Sequence, residues 1–370
     1  MKLLHFILFL GLLHNGLSQK RNSWVPGSVS LHSKTGFLIA HRANMSHLAQ
    51  KNSYAFELEL SQQDTTSNRW AEIYKKPFRG VSLQYQNFGN SKVLGNGLTI
   101  FAHTAFPLYS NDRFGTIYFR GGTGISYITK IYNTETNLKN NAIGTHLNGF
   151  VSLQFRWKKY FNHWHIGTFI DFLHYSNASM KVPNLGLNLP VLGIDVGYDL
   201  HPVDHQVDTK KISRDAAYED RMADELRIFV IGGAKQNIPR FNPVRTHPVL
   251  AMQGLYSMKT GKRWKVDFGV DLMYNGANRH YLDTSAYTVG ETFQLGVFVG
   301  ASIHFYRAEF LTGIGVYAWS PLKPFGWVYN RLGFRYHFTP HISGMVGIKA
   351  HLGIADYLEF GIAYRLWRGK

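Results

Sequence analysis

The chain has 370 residues, of which 45% are apolar, 15% aromatic and none cysteine. That apolar richness excludes disorder, and the absence of thiols excludes a disulfide framework, thiolate zinc sites and cysteine nucleophiles. Only 17% of residues are charged, against about a quarter in ordinary soluble domains, yet a mean hydropathy of −0.19 is too low for a bundle of membrane helices. The net charge of +17 suits polyanionic partners such as an anionic membrane face or a phosphorylated glycolipid. Lysines and arginines are scattered singly among aromatics, without a nucleic-acid motif, so nucleic acid is not an expected partner.

Residues 1–18 read as a secretory signal: Lys2, an apolar stretch from Leu3 to Leu13, then Gly16-Leu17-Ser18 as a small-residue cleavage site. The stretch is shorter than the ~20 residues a spanning helix requires. No cysteine follows for lipidation.

Downstream, period-two alternation recurs in segments near 30–41, 53–61, 80–88, 96–107, 115–128, 145–158, 162–176, 188–200, 225–237, 246–258, 263–274, 289–303, 305–318, 327–338, 342–352 and 356–367. From Trp264 the even positions are Trp264, Val266, Phe268, Val270, Leu272 and Tyr274. The odd ones are Lys265, Asp267, Gly269, Asp271 and Met273. A greasy face with aromatic ends, over about ten to fourteen residues, fits a strand tilted across a bilayer better than the short strands of a soluble sandwich. In lipid only a closed sheet leaves no unpaired edge. The expected fold is therefore an all-β, antiparallel outer-membrane barrel of about fourteen strands, twelve to sixteen being allowed because weak segments can split. It forms a single transmembrane domain over 19–370, in the outer membrane of a Gram-negative bacterium. The exception is a polar rim loop at 201–225, in which Asp215 to Asp224 can make a short helix.

Chemistry concentrates at His174-Tyr175-Ser176-Asn177-Ala178 and Pro183-Asn184-Leu185-Gly186-Leu187-Asn188. In the strand leading in, Trp164, Ile166, Ile170 and Phe172 share a face with His174 and Ser176. In the return strand, Leu192, Ile194, Val196 and Tyr198 share parity with Asn188. By alternation all three polar groups face lipid, where they are costly. A catalytic reading makes His174 the general base for a Ser176 nucleophile, with Asn188 accepting the other imidazole N–H. The alternative reading places them at the rim as ordinary interface and turn residues.

The runs HYSNA and PNLGLN resemble the active-site signature of the lipid A 3-O-deacylase (PagL) family, outer-membrane barrels that remove an ester-linked 3-hydroxyacyl chain from lipid A. The resemblance implies Ser176 as nucleophile, His174 as base, and Asn177, Asn184 and the Gly186 turn as oxyanion or substrate-positioning elements. It implies lipid A, or lipopolysaccharide, of the outer leaflet as partner. No cofactor and no metal is expected. The chain departs from the family in carrying Asn188 where well-known members have a glutamate, and in exceeding the typical eight strands. Asp171 and Asp195, the nearest acids, have lumen parity. A non-enzymatic porin or a structural or adhesive barrel is the alternative function. The histidines at His41, His47, His103, His146, His163, His165 and His280 show no spacing that specifies a ligand set, and Gly121-Gly122-Thr123-Gly124 reads as strand packing.

Overall fold

The computed structural model describes residues 25–66, 69–200, 216–236, 244–278, 289–305, 307–322 and 326–369. The expected signal segment 1–18, residues 201–215 of the expected rim loop and His280 lie outside these residues.

Alternating Val, Ile, Leu and aromatic residues suit a pleated surface with one face in an apolar medium. All sixteen alternating segments are strands. They close into two barrels of eight. The first contains β1 (Ser28–Gly36), β2 (Ser53–Gln63), β3 (Phe78–Asn87), β4 (Asn96–Asn111), β5 (Gly115–Ile128), β6 (Leu147–Phe161), β7 (Trp164–Ser176) and β8 (Leu187–Asp199). The second contains β9 (Glu225–Gln236), β10 (Thr246–Lys259), β11 (Trp264–Asn275), β12 (Phe293–Phe305), β13 (Ala308–Trp319), β14 (Val328–His337), β15 (Ile342–His351) and β16 (Ile354–Arg368). Closure comes from β1 pairing antiparallel with β8, Leu31 opposite Val196, and from β9 pairing with β16, Phe229 opposite Ala363.

The all-β, antiparallel barrel architecture is the one expected, while the expected single barrel of about fourteen strands is corrected to two eight-stranded barrels. Alternation assigns faces but not partners, and it carries no mark of which strand edge returns to which. Each strand is legible in the sequence; the closures are not. The expected short helix is present at Ala216–Met222, inside the 201–225 stretch that separates the two sheets.

Each wall is greasy outside. In the first barrel Leu31, Phe56, Ile100, Phe155, Ile170 and Ile194 are exposed; in the second Val230, Leu250, Val270, Val297, Ile314 and Ile362 are. An eight-stranded barrel has an interior just wide enough for side chains to fill, and here the filling combines apolar clusters with buried ion pairs. Arg156 donates Nε to Asp195 Oδ1 (2.9 Å), Nη2 to Asp195 Oδ2 (2.5 Å) and Nη1 to Glu59 (3.0 Å). Lys34 bridges Glu57 (2.6 Å) and Asp171 (3.0 Å), and Arg120 pairs with Glu57. Gly193 and Gly197 in β8 make room for this filling, because a Cβ there would meet the Phe169 ring at 2.2 Å and the His165 ring at 2.3 Å. In the second barrel Arg331 joins Asp271 (2.5 Å) to Glu359 (3.0 Å), and Lys349 joins Asp356 (2.8 Å).

Replacing one member of such a network strands its partners. Arg156→Met leaves the buried Asp195 carboxylate without its bidentate guanidinium, which should cost roughly 3–5 kcal/mol. The expected outcome is an earlier urea-unfolding transition of the full chain in detergent; a transition unmoved by the substitution would show that the network is not stabilising.

Candidate active site on the lipid-facing wall

The first barrel builds the site from the end of β7, the start of β8 and the connection 177–186 between them. Tyr175 sets the orientation. Its ring lies in the lumen, edge-on to Phe88 (5.2 Å, 88°) and tilted on Phe150 (4.9 Å, 52°), and its hydroxyl accepts a hydrogen bond from Gln84 (3.0 Å). With Tyr175 anchored inward, the residues on either side, His174 and Ser176, must face outward. They continue the line of Trp164, Ile166, Ile170 and Phe172, all exposed, and are themselves half-buried. Asn188 lies directly across the ladder from His174. The lipid-facing parity expected for His174, Ser176 and Asn188 is the parity observed.

His174 Nδ1 donates to Asn188 Oδ1 at 2.6 Å. With Nδ1 carrying the proton, the lone pair sits on Nε2, the nitrogen free to accept a proton. Asn184 Nδ2 donates to Ser176 Oγ at 2.9 Å. Asn184 is held in turn by the Asn177 backbone N–H, which donates to its Oδ1 at 3.0 Å. The Asn177 side chain turns elsewhere, donating Nδ2 to Thr145 Oγ1 at 3.1 Å. So of the two expected amide donors, Asn184 sits at the serine oxygen, while Asn177 supports it through its backbone.

Gly186 is the pivot of the connection. It has φ +76°, and a Cβ at that position would lie 3.2 Å from His174 Cε1, 3.7 Å from Ser176 Cβ and 3.1 Å from the Tyr175 carbonyl. Imidazole and serine therefore converge on one glycine, which turns the chain back beneath them. The turn is fastened to the 129–146 connection, since Gly186 N–H donates to the Ala142 carbonyl (3.0 Å) and Leu185 N–H to the Asn141 carbonyl (3.4 Å).

The two acids nearest in sequence, Asp171 and Asp195, are engaged away from His174. Asp171 accepts from Lys34 (3.0 Å) and Ser152 (2.8 Å), and Asp195 is held by Arg156, both inside the lumen. Two residues of the site were not picked out from sequence. His41 Nδ1 accepts from Asn188 Nδ2 at 3.2 Å, and Thr145 meets Asn177. Both lie in rim connections far along the chain, and no local pattern marks them.

A second His-x-Ser pair, His341 and Ser343, has a different setting. Ser343 is buried in the second lumen, where its hydroxyl meets His337 Nδ1 (2.8 Å) and Arg227 (3.0 Å), and His341 stacks on Tyr364. Strand parity thus separates two identical motifs.

Among the described residues, two buried groups bring enough His and Glu atoms together to hold a metal: His32, Glu57 and Glu59, and His304, Glu309 and His337. Each already has cationic partners. Glu57 and Glu59 face Lys34, Arg120 and Arg156, and Glu309 is 2.7 Å from Arg335. A divalent ion there would have to displace guanidinium groups, so these clusters read as ion-paired lumen filling.

Fold and wall together define an outer-membrane type β-barrel with a Ser–His–Asn cluster on its lipid face. The family model for lipid A 3-O-deacylase (PagL) matches residues 56–198, β2 to β8. The model described as the acyloxyacyl hydrolase C-terminal domain matches residues 224–368, the whole second barrel. The first barrel thus matches the lipid A 3-O-deacylase (PagL) family and the second the acyloxyacyl hydrolase C-terminal domain, which with the barrel fold indicates a protein of the Gram-negative outer membrane. Among solved structures it is similar to the outer membrane enzyme PagL (16% identity, TM-score 0.29, covering 45% of this chain and 97% of that one). It is also similar to a bacterial polysaccharide outer membrane secretin (13% identity, TM-score 0.23, 93% and 100% covered). A triple-mutant porin of Rhodopseudomonas blastica has 6% identity and a TM-score of 0.19, with 91% and 99% covered. No curated protein matches the chain.

Gly186→Ala should place a methyl against the His174 ring and force a β-carbon into the left-handed region, at about 1–2 kcal/mol. The connection 177–186 would then be nicked faster by protease in the folded, detergent-held protein. Unchanged nicking would mean that the turn tolerates the methyl.

Proposed function

We propose that the chain is a serine esterase of the outer membrane that removes an ester-linked 3-hydroxyacyl chain from lipid A. The observation that carries this reading is the pairing, on one lipid-facing hairpin, of His174 Nδ1 with Asn188 Oδ1 and of Asn184 Nδ2 with Ser176 Oγ.

In this reading Ser176 Oγ attacks the ester carbonyl while His174 Nε2 takes its proton. The negative charge gathers on the former carbonyl oxygen, for which Asn184 Nδ2, already beside Oγ, is a side-chain donor; such a donor typically contributes ~10²–10³ in rate. Collapse breaks the bond to the sugar oxygen, which leaves with the proton from His174. Water, deprotonated by the same imidazole, then releases the acyl group from Ser176 as a free 3-hydroxy fatty acid. Positioned side chains suffice for each step.

Position supports the substrate class. The connections 37–52, 88–95, 129–146 and 177–186 share the site's end of the first barrel; at the other end 112–114 and 162–163 are tight turns, and 64–77 is longer. Longer loops mark the extracellular rim of such barrels, and that rim adjoins the leaflet in which lipid A resides. The first three connections carry Arg42, Lys51, Lys92, Lys130 and Lys139 against one acid, Glu135, a balance suited to the phosphates of a glycolipid headgroup. Against a passive channel stand the fully buried Arg120, Arg156 and Lys34 that occupy the lumen.

Lipid A from cells expressing the chain should lose the mass of one 3-hydroxyacyl unit, and Ser176→Ala should abolish the loss. Unaltered lipid A with folded protein in the membrane would return the barrel to a structural role. Asn188→Glu, which supplies the missing charge opposite the imidazolium, should raise turnover of the purified protein; an equal or slower rate would mean that another group already meets that need.

A further inference from the structure

Resting on that reading, the geometry points to His41 as a positioning residue: its Nδ1 lone pair accepts the Asn188 amide and thereby keeps the amide oxygen, not the amide nitrogen, turned toward His174.

A carboxylate in the third position presents an oxygen to the imidazole whichever way it rotates. A carboxamide does not. Turned by 180°, Asn188 would set its NH₂ against His174 Nδ1 and favour the tautomer whose lone pair is on Nδ1, with the proton on Nε2, where it cannot accept from Ser176. An asparagine here therefore needs an acceptor on its far side, a need that a glutamate would not have. The fold supplies one. Beyond the end of β1 the backbone continues along β8, with Phe37 N–H donating to the Pro190 carbonyl (3.4 Å) and Ile39 N–H to the Asn188 carbonyl (2.9 Å). This carries His41 to within 3.2 Å of Asn188 Nδ2. Asn188 thus has both ends of its amide engaged, the oxygen at 2.6 Å by one imidazole and the nitrogen by another. The hydrogen-bonded line runs His41–Asn188–His174, while Ser176 two residues further along β7 is held by Asn184.

The test measures kcat and KM for hydrolysis of the p-nitrophenyl ester of a 3-hydroxy fatty acid by the full chain in detergent, with far-UV circular dichroism as the check on folding. His41→Phe keeps the bulk and removes the acceptor; it should lower kcat about tenfold, the worth of one aligned hydrogen bond, with KM little changed. His41→Asn restores an acceptor at the bond position of Nδ1 and should recover most of kcat. His41→Ala serves in place of His41→Phe if the larger ring disturbs folding. In chains carrying Asn188→Asp, whose carboxylate needs no orientation, the same His41→Phe change should cost little. An unchanged kcat in His41→Phe, or an equal loss whether or not the chain also carries Asn188→Asp, overturns the proposal while leaving the esterase reading intact. Hydrolysis that survives Ser176→Ala overturns both.

Discussion

The constraint on which the structure depends is that a sheet in lipid must close on itself and send every side chain either to the lumen or to the bilayer. There is no third destination on a barrel wall. Once Tyr175 is packed inside against Phe88 and Phe150, the outward direction of His174 and Ser176 is settled by the pleat, and the register of β7 with β8 sets Asn188 opposite His174. The His341–Ser343 pair obeys the same rule with the opposite result, because there the serine falls on the inside.

Lumen and wall solve their electrostatics differently. Inside, charges are dense and compensated by one another, as in Arg156 between Asp195 and Glu59 or Arg331 between Asp271 and Glu359. Taking such ions out of water is expensive unless every partner is in place, which explains why the interior acids are committed to guanidinium and ammonium groups and are not available to the site. Outside, the cluster from His41 to Asn184 uses amides, imidazoles and a hydroxyl, and carries no permanent charge. A hydrogen-bonded neutral chain faces a smaller desolvation penalty beside lipid than a carboxylate would.

Much of this was legible in the sequence because period-two alternation reports directly on side-chain direction. The strand at Trp264 to Tyr274 and the lipid-facing parity of residues 174, 176 and 188 needed no knowledge of neighbours. What stayed hidden was long-range pairing. Whether β8 returns to β1 or continues into a larger sheet is decided by edges more than 150 residues apart in the chain, and no alternation marks the stretch 201–225 as the boundary in chain order between two closed sheets. His41 was hidden for the same reason, since its partner lies 147 positions away and a lone rim histidine has no periodicity to betray it. The direction of the Asn177 amide, turned to Thr145, is likewise a product of loop packing.

An asparagine at 188 asks something of the surrounding fold that a carboxylate would not. A carboxylate brings its own charge and needs only proximity to the imidazole, so its neighbours can vary. A carboxamide brings a weaker, two-ended dipole whose usefulness depends on being held one way round, and that demand passes to the segment after β1. In this protein the extension of the β1 backbone along β8, through Ile39 to His41, gives the amide a second partner at the rim. The hydrogen-bonded line from the segment after β1 through β8 to β7 thus reaches beyond a motif within one hairpin. That placement explains why its strength rests on barrel closure: without the β1–β8 pairing, Asn188 would keep its position opposite His174 but lose the group that orients it.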